Sequence, residues 1–273
     1  MRNLDQTVES LISVSWAKAH YRPLTHALLA VLAGIYIGFG AALAIRVTGN
    51  LSPELGNLTK LLFGLLFPVG LLLVLMAGAS LFTGDVMFVS ALYFKKEIGA
   101  IKLIKFLAFS YVGNFIGSVF LAFMIVYSGV FQEGSGHPIA ISAINIANAK
   151  TALPFSEAFL RGILCNWLVC LAIYMSLTSD DAISKIFLMW PPITAFVALG
   201  MEHSVANMFF IPLGILLGNT PEISLGAVKL SANVKTFLVD NLIPVTLGNI
   251  VGAVFFVTLP YLLASNTKDG SKI

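Results

Sequence analysis

The chain has 273 residues, of which 58% are hydrophobic and only 11% are charged, and its mean hydropathy is +0.92. A soluble domain carries about 25% charged residues, and a chain of this length has too little interior to bury so many apolar side chains. The composition therefore excludes an ordinary soluble domain and indicates apolar surface against lipid. The formal net charge is +3, and the sequence has no basic stripe of the kind that binds nucleic acid.

The first 23 residues precede the first long apolar segment and mix charged with apolar side chains. Asp5, Glu9 and Lys18 are interspersed with residues such as Leu11 and Trp16. No cleavage site follows, which argues against a signal peptide. The pattern predicts an amphipathic helix that lies on the membrane surface.

Six segments are apolar and long enough for a transmembrane helix, which needs about 20 residues. They are residues 24–47, 61–94, 101–130, 155–177, 186–217 and 242–263. The second and fifth are too long for one straight helix, and each carries polar residues at its middle. The sequence predicts an all-α membrane protein with six transmembrane helices, of which the second and fifth are broken.

Lysine and arginine are distributed unequally between the two sides of these six segments. With the N-terminus inside, ten lie on the inner side and six on the outer side and its flanks. The inner ones are Arg2, Lys18, Arg22, Lys95, Lys96, Lys102, Lys105, Lys185, Lys268 and Lys272. Positive residues favour the cytoplasmic side, so we expect an inner-membrane protein with both termini in the cytoplasm.

The two cysteines, Cys165 and Cys170, lie five residues apart in the fourth apolar segment. This spacing on a helix is poor geometry for a disulfide. We therefore expect both to be small packing residues rather than a bonded pair.

A short pattern occurs once in each half of the chain. Residues 113–117 read Gly-Asn-Phe-Ile-Gly, and residues 248–252 read Gly-Asn-Ile-Val-Gly. Small residues four positions apart let helix backbones approach closely in lipid. The recurrence predicts two related halves, residues 24–130 and residues 155–264.

The middles of the second and fifth segments strengthen this interpretation. Residues 79–85 read Ala-Ser-Leu-Phe-Thr-Gly-Asp, and residues 200–204 read Gly-Met-Glu-His-Ser. An unpaired polar group at membrane depth costs several kcal/mol, so these residues must be buried in protein or line a water-filled path. Because each half has an odd number of spans, the second half crosses the membrane in the opposite direction to the first. Helix interruptions at matching positions of such an inverted repeat indicate a binding site near the middle of the membrane.

His203 is the one histidine at the centre of a predicted span, and imidazole titrates near neutral pH. A lone buried histidine is either a hydrogen-bonded core residue or a residue that lines a transport pathway. Its position in an interrupted helix favours the transport pathway. Thr83 either bonds to its own backbone or faces the same path. For Glu202 we expect a helix cap or a polar partner, and for Asp85 a cap on a half-helix that begins near it.

At these residues the chain resembles the formate–nitrite transporter family of pentameric, aquaporin-like anion channels. The resemblance covers nearly the whole chain. It rests on Leu-Phe-Thr-Gly at residues 81–84, on residues 200–207 around His203, and on residues 241–249, which read Asn-Leu-Ile-Pro-Val-Thr-Leu-Gly-Asn. It implies a single transmembrane channel domain over residues 1–273, one pore per protomer, a homopentamer in the lipid bilayer, and no metal or cofactor.

The resemblance also implies roles for individual residues. Thr83 corresponds to the threonine of the family's mobile loop, His203 to its central pore histidine, and Lys150 to a lysine whose charge favours anions. Independently of the resemblance, we expect Lys18 to stand at the cytoplasmic mouth and to help draw the anion inward. The other implied pore residues are Asn166 and Asn249 near the path, and Phe67, Leu71, Leu81, Phe82 and Phe196 at its constrictions. Asp85 departs from the residue that many relatives carry after the threonine–glycine pair.

The expected function is transmembrane passage of a small monovalent anion or its weak acid, with formate first and nitrite or hydrosulfide as alternatives. Desolvating a charge is costly, so one mechanism has His203 relay a proton and lets the neutral acid cross the apolar constrictions. The competing mechanism is a pure anion channel in which His203 only donates a hydrogen bond.

Three other functional classes fit the sequence less well. An aquaporin-like neutral-solute channel shares the inverted plan, but the sequence lacks two Asn-Pro-Ala boxes. An ammonia channel usually needs a pair of pore histidines, whereas His203 is the single histidine of this sequence at a suitable position. The sequence has no Ser/His or Asp/Asp pair at helical spacing, no His-Glu-x-x-His, no Cys-x-x-Cys and no phosphate loop, so we expect no enzyme.

Overall fold

The computed structural model describes residues 1–224 and 228–266, and these residues fold into helices joined by short connections. The helices of the first half are α1 Leu4–Ala19, α2 Pro23–Thr48, α3 Asn57–Leu66, α4 Pro68–Met76, α5 Phe82–Phe94 and α6 Ala100–Tyr127. Those that follow are α7 Pro138–Thr151, α8 Phe155–Ser176, α9 Ala182–Ala198, α10 Ser204–Gly218, α11 Pro221–Ser224, α12 Ile243–Ala253 and α13 Leu259–Ala264. Lys268 and Lys272, which contributed to the predicted orientation, lie outside the described residues.

Five helical stretches within the described residues are long and apolar enough to cross a membrane, by length and composition. They are Pro23–Thr48, Asn57–Met76, Ala100–Tyr127, Phe155–Ser176 and Thr236–Ala264. The last is one continuous stretch in which wider π-helical turns flank α12. The predicted fifth span is divided between α9, with 17 residues, and α10, with 15. A sixth crossing therefore needs both of these helices together.

Two glycines end the helices α4 and α9 in the same way. Gly78 has φ +69° and Gly200 has φ +72°, a left-handed conformation that glycine adopts without a Cβ penalty. In both, the N–H of the next residue donates to the carbonyl five positions back, at 2.9 Å and 3.1 Å. This is the hydrogen bond of a Schellman helix end, so the sequence itself stops each helix partway along an apolar segment.

The first interruption is shorter than the sequence predicted, and α5 begins at Phe82. Thr83, which the resemblance placed in the family's mobile loop, lies in the first turn of α5. The half-helix expected to begin near Asp85 starts three residues before it, at Phe82. The second interruption ends at His203, and α10 begins at Ser204, within the polar middle of the predicted fifth segment.

The repeated glycine pattern brings two pairs of helices into backbone contact. In the pair α2–α6, a Cβ added to Gly117 would lie 2.0 Å from the carbonyl oxygen of Val31. In the pair α8–α12, a Cβ added to Gly252 would lie 2.3 Å from the carbonyl oxygen of Ile163. Small residues thus serve the same close packing in both halves.

The peripheral helices pack onto this frame. α1 lies against α5, with Val8 and Leu11 fully buried, and α7 lies against α10. Cys165 and Cys170 are free and buried on α8, in agreement with their predicted packing role.

We predict that Gly117→Ser destabilises the protein, because its Cβ would overlap the backbone of α2 and overpacking costs about 1–3 kcal/mol. The measurement is the apparent melting temperature of the purified protein in detergent. Gly99→Ser is the matched control, since a Cβ there meets nothing within 4 Å and serine is a good helix N-cap. Equal melting temperatures for the two variants would contradict the packing account.

Candidate functional site

Two cavities lie on opposite sides of the helix interruptions. The Lys18 cavity has a volume of about 380 Å³, and the Lys150 cavity has a volume of about 320 Å³. Residues that line the Lys18 cavity include Lys18, Leu81, Gly84, Asp85 and Lys185. Residues that line the Lys150 cavity include Lys60, Phe67, Lys150, Phe196, Glu202 and His203.

A hydrogen bond between Thr83 and His203 lies between these cavities. Thr83 Oγ1 and His203 Nε2 are 2.9 Å apart, and both residues are buried. His203 lines the Lys150 cavity, whereas Leu81 and Gly84, on either side of Thr83, line the Lys18 cavity. The structure therefore brings the two central residues of the sequence prediction into direct contact.

His203 also caps the helix that follows it. Its Nδ1 accepts a hydrogen bond of 3.0 Å from the backbone N–H of Ala206. An accepting Nδ1 carries no proton, so the neutral tautomer assigned by this bond has its proton on Nε2. Nε2 then donates to Thr83 Oγ1, and the threonine hydroxyl keeps its own proton for another acceptor.

Two asparagines cap the helices that begin at the interruptions. Asn114 Oδ1 accepts from the backbone N–H of Phe82 at 2.8 Å. Asn249 Oδ1 accepts from the backbone N–H of Ser204 at 2.8 Å. Each asparagine is the second residue of the repeated Gly-Asn pattern and reaches its target from a neighbouring long helix.

The amide nitrogens of the same side chains satisfy carbonyls on the other side of each cap. Asn114 donates to the carbonyls of Ala30 at 2.8 Å and Ser80 at 2.9 Å. Asn249 donates to the carbonyls of Gly162 at 2.8 Å and Glu202 at 3.0 Å. Ser80 and Glu202 are each two positions before the first residue of α5 and α10, respectively. The same set of hydrogen bonds therefore forms at both helix starts. Sequence reasoning missed this role of Asn114, although its place in the repeat was a usable signal.

Asn166 holds the backbone at the centre of the site. Its Nδ2 donates to the carbonyl of Thr83 at 3.1 Å and to the carbonyl of Asn249 at 2.7 Å. The side chain is fully buried on α8. Asn166 therefore fixes the position of Thr83 through its main chain.

Asp85 forms a buried ion pair with Lys18. The Lys18 Nζ is 2.9 Å from Asp85 Oδ1, and the hydroxyls of Ser80 and Ser110 each donate to Oδ2 at 2.6 Å. Ser110 in turn contacts His26 Nε2 at 2.8 Å. The carboxylate thus binds a cation and two hydroxyls, where the sequence had predicted a helix cap.

Glu202 forms the corresponding ion pair with Lys150. The Lys150 Nζ is 2.9 Å from Glu202 Oε1, and Asn207 Nδ2 donates to Oε2 at 2.6 Å. Asn241 contacts the same oxygen at 3.4 Å and also donates to the backbone carbonyl of Lys150 at 2.9 Å. The expectation of a polar partner for Glu202 holds, and Lys150 is a paired charge rather than an isolated one.

The predicted constriction residues fall in different places. Phe67 and Phe196 meet edge to face with ring centroids 5.7 Å apart, and Phe196 lies parallel to the His203 ring at 6.0 Å. Leu81 lines the Lys18 cavity, and Phe82 packs against Tyr111 at 4.9 Å. Leu71 is buried on α4.

Comparison with known proteins identifies this arrangement. The sequence model of the family described as "Formate/nitrite transporter" matches residues 5–263. The chain belongs to the formate/nitrite transporter family. Its membrane-length apolar helices and this membership make it a membrane protein of a transporter family, which agrees with the prediction that it is not an enzyme.

Individual formate/nitrite transporter proteins resemble the chain over most of its length. It is 43% identical over 250 residues to the "Probable formate transporter" of Methanothermobacter thermautotrophicus, covering 85% of this chain and 86% of the relative. It is 36% identical over 254 residues to "Formate channel FocA" of Escherichia coli (strain K12), covering 89% of this chain and 87% of the relative.

Two solved structures share the fold. A "Pentameric formate channel with formate bound" superposes with a TM-score of 0.80 at 34% identity, covering 88% of this chain and 96% of that one. An "FNT family ion channel" superposes with a TM-score of 0.81 at 31% identity, covering 96% of this chain and 98% of that one.

We predict that Asn114→Ala and Asn249→Ala each destabilise the protein and by similar amounts. Either change leaves a helix-start N–H and the carbonyl of Ser80 or Glu202 buried without a partner, and each such group costs about 1–3 kcal/mol. The measurement is the melting temperature in detergent, with exposed Asn219→Ala as the control. A normal melting temperature for either cap variant would contradict the proposed equivalence of the halves.

Proposed function

We propose that the chain assembles as a homopentameric channel in the inner membrane, with both termini in the cytoplasm, and that each protomer conducts a small monovalent anion, with formate as the main substrate. The names of the similar proteins support formate, and a pentameric formate channel has the same fold. Nitrite and hydrosulfide are the alternative substrates within this proposal.

The proposed architecture has six crossings in two inverted halves, residues 24–130 and 155–264, behind the N-terminal helix. The stretch Asn57–Met76 continues into α5 as one broken crossing, and α9 continues into α10 as the other. The matched glycine ends and asparagine caps support this pairing.

One observation carries the functional proposal: the Thr83–His203 contact of 2.9 Å separates two cavities that each contain a lysine. The proposed path runs through the Lys150 cavity, past Phe67 and Phe196, across Thr83 and His203, and into the Lys18 cavity. An anion on this path meets the Thr83 hydroxyl proton, which the hydrogen-bond pattern leaves free for an acceptor.

The geometry favours hydrogen-bond donation by His203 over proton relay. A relay requires the imidazolium form, in which Nδ1 is protonated and can no longer accept from Ala206. Protonation would therefore break the cap of α10, whereas the neutral ring keeps the cap and still offers Nε2–H. We propose that His203 acts mainly as a neutral donor, and the relay stays as the alternative mechanism.

We predict that the His203→Gln variant conducts formate about fivefold faster than the His203→Asn variant. This factor corresponds to the loss of one hydrogen bond of about 1 kcal/mol in the asparagine variant. Glutamine places an amide N–H near the position of Nε2, whereas asparagine replaces the capping atom Nδ1 and leaves the centre without a donor. The measurement is formate flux into liposomes, between about pH 6 and pH 8, across the usual imidazole titration.

Melting temperatures of both histidine variants check that neither result reflects unfolding. The donor mechanism also predicts wild-type formate currents at high pH without proton flux. Equally low flux through both variants, together with one proton entering per formate in the wild type, would establish the relay instead.

We predict that Phe196→Ala raises the ratio of lactate flux to formate flux by about tenfold or more, because a ring is removed from the narrow zone beside His203. The measurement is uptake of both labelled anions in the same liposomes. Phe187→Ala is the matched control, since Phe187 lies on the same helix with its side chain 74% exposed. An unchanged ratio would remove Phe196 from the constriction.

A further inference from the structure

The lysines that face the two cavities near the centre are electrically compensated. Lys18 pairs with Asp85, and Lys150 pairs with Glu202, both at 2.9 Å. The side chains of these carboxylates are at most 4% exposed, and both accept further hydrogen bonds that hold them in place. A pair of opposite charges at this distance has little net field at longer range, so neither lysine supplies an uncompensated positive charge.

The remaining charged residues that line the cavities are Lys60, Asp180 and Lys185. Asp180 pairs with Arg2. Among the residues that the structure describes, neither Lys60 nor Lys185 forms an ion pair. One positive charge is therefore left over in each cavity, Lys60 in the Lys150 cavity and Lys185 in the Lys18 cavity.

These two lysines occupy equivalent places in the fold. Lys60 is the fourth residue of α3 and Lys185 is the fourth residue of α9, and these helices pack against each other. A cation in the first turn opposes the helix dipole and is unfavourable by about 0.3–1 kcal/mol. The helix dipole thus gives no reason for a lysine at either position.

A nearby carboxylate does not cancel the charge of Lys185 through an ion pair. Asp181 precedes Lys185 by one turn, and its side chain accepts from the backbone N–H of Ser184 at 2.7 Å. This hydrogen bond holds the pKa of the Asp181 carboxyl below its usual range. The Asp181 carboxylate therefore stays charged, but it serves as the N-cap of α9 and is exposed, so solvent screens its attraction for Lys185.

We propose that Lys60 and Lys185 are the cations that collect the anion at the two mouths of the path, and that Lys18 and Lys150 act within neutral pairs. This inference rests on the proposed channel function and assigns its electrostatic attraction to different residues than the resemblance implied. Uncompensated charge at a mouth raises the local concentration of an oppositely charged solute and its rate of encounter.

The test measures initial formate flux in right-side-out and inside-out membrane vesicles that contain the wild type, Lys60→Gln or Lys185→Gln. Two exposed lysines outside both cavities provide controls, as Lys229→Gln and Lys105→Gln. Each measurement is made near 10 mM and near 1 M ionic strength, where the screening length is about 30 Å and about 3 Å.

We expect Lys60→Gln to lower flux that starts from the Lys150 side, and Lys185→Gln to lower flux that starts from the Lys18 side. Each loss is about threefold at low salt and disappears at high salt. Both controls behave like the wild type. Flux through Lys60→Gln and Lys185→Gln that equals the control flux at low salt would overturn the inference.

A second comparison examines the neutral pair directly. Lys18→Met leaves the buried Asp85 unpaired, whereas Lys18→Met with Asp85→Asn restores the charge balance. We expect the double variant to recover flux relative to the single one. A double variant as slow as Lys18→Met would show that the Lys18 ammonium itself collects the anion and would overturn the inference.

The wild type separates failure of the inference from failure of the proposed function. Wild-type vesicles that pass formate, nitrite or hydrosulfide, but show no lysine effect with that anion, overturn the lysine assignment alone. Wild-type vesicles that pass none of these anions overturn the channel proposal and this inference with it.

Discussion

Two asparagine side chains allow helices to begin inside an apolar interior, and the rest of the site depends on them. A helix that starts there exposes backbone N–H groups, and the chain before it exposes carbonyls, each costly without a partner. Asn114 and Asn249 each satisfy one N–H and two carbonyls from a neighbouring helix. Because these caps fix the starts of α5 and α10, Thr83 and His203 meet at 2.9 Å.

The two halves bury a carboxylate by the same principle but with different residues. In the first half Ser80 donates to Asp85, and in the second Asn207 donates to Glu202, both across five positions. A lysine from an outlying helix completes each pair and lies 5.4 Å from a phenylalanine ring. Separating a buried ion pair would leave an uncompensated charge. The two pairs therefore stabilise the packing of α1 and α7 against the first turns of α5 and α10.

Apolar length and misplaced polar residues are local signals, and they predicted the membrane-length helices and the polar segments that separate α4 from α5 and α9 from α10. The contact between Thr83 and His203 needed the fold, because the two residues lie 120 positions apart. Asp85 was assigned to a helix cap because proximity in sequence favoured it, whereas its cation partner lies 67 positions away. The partner of Lys150 lies 52 positions away, so the resemblance gave the lysine a role but the sequence did not reveal its carboxylate. The Gly-Asn repeat was interpreted through its glycines, and the resemblance placed Asn249 near the path. The capping role of both asparagines needed the fold.

The central claim is that the Lys18 and Lys150 cavities are two ends of one path through each protomer. It is tested by formate flux after sided thiol modification, with Cys165 and Cys170 replaced by alanine and a single cysteine at Leu81 or Met201. These residues line the Lys18 and Lys150 cavities, respectively. The account predicts that an impermeant reagent stops flux at Leu81→Cys from one side only and at Met201→Cys from the other side only. Undiminished flux after complete modification at both positions would contradict it.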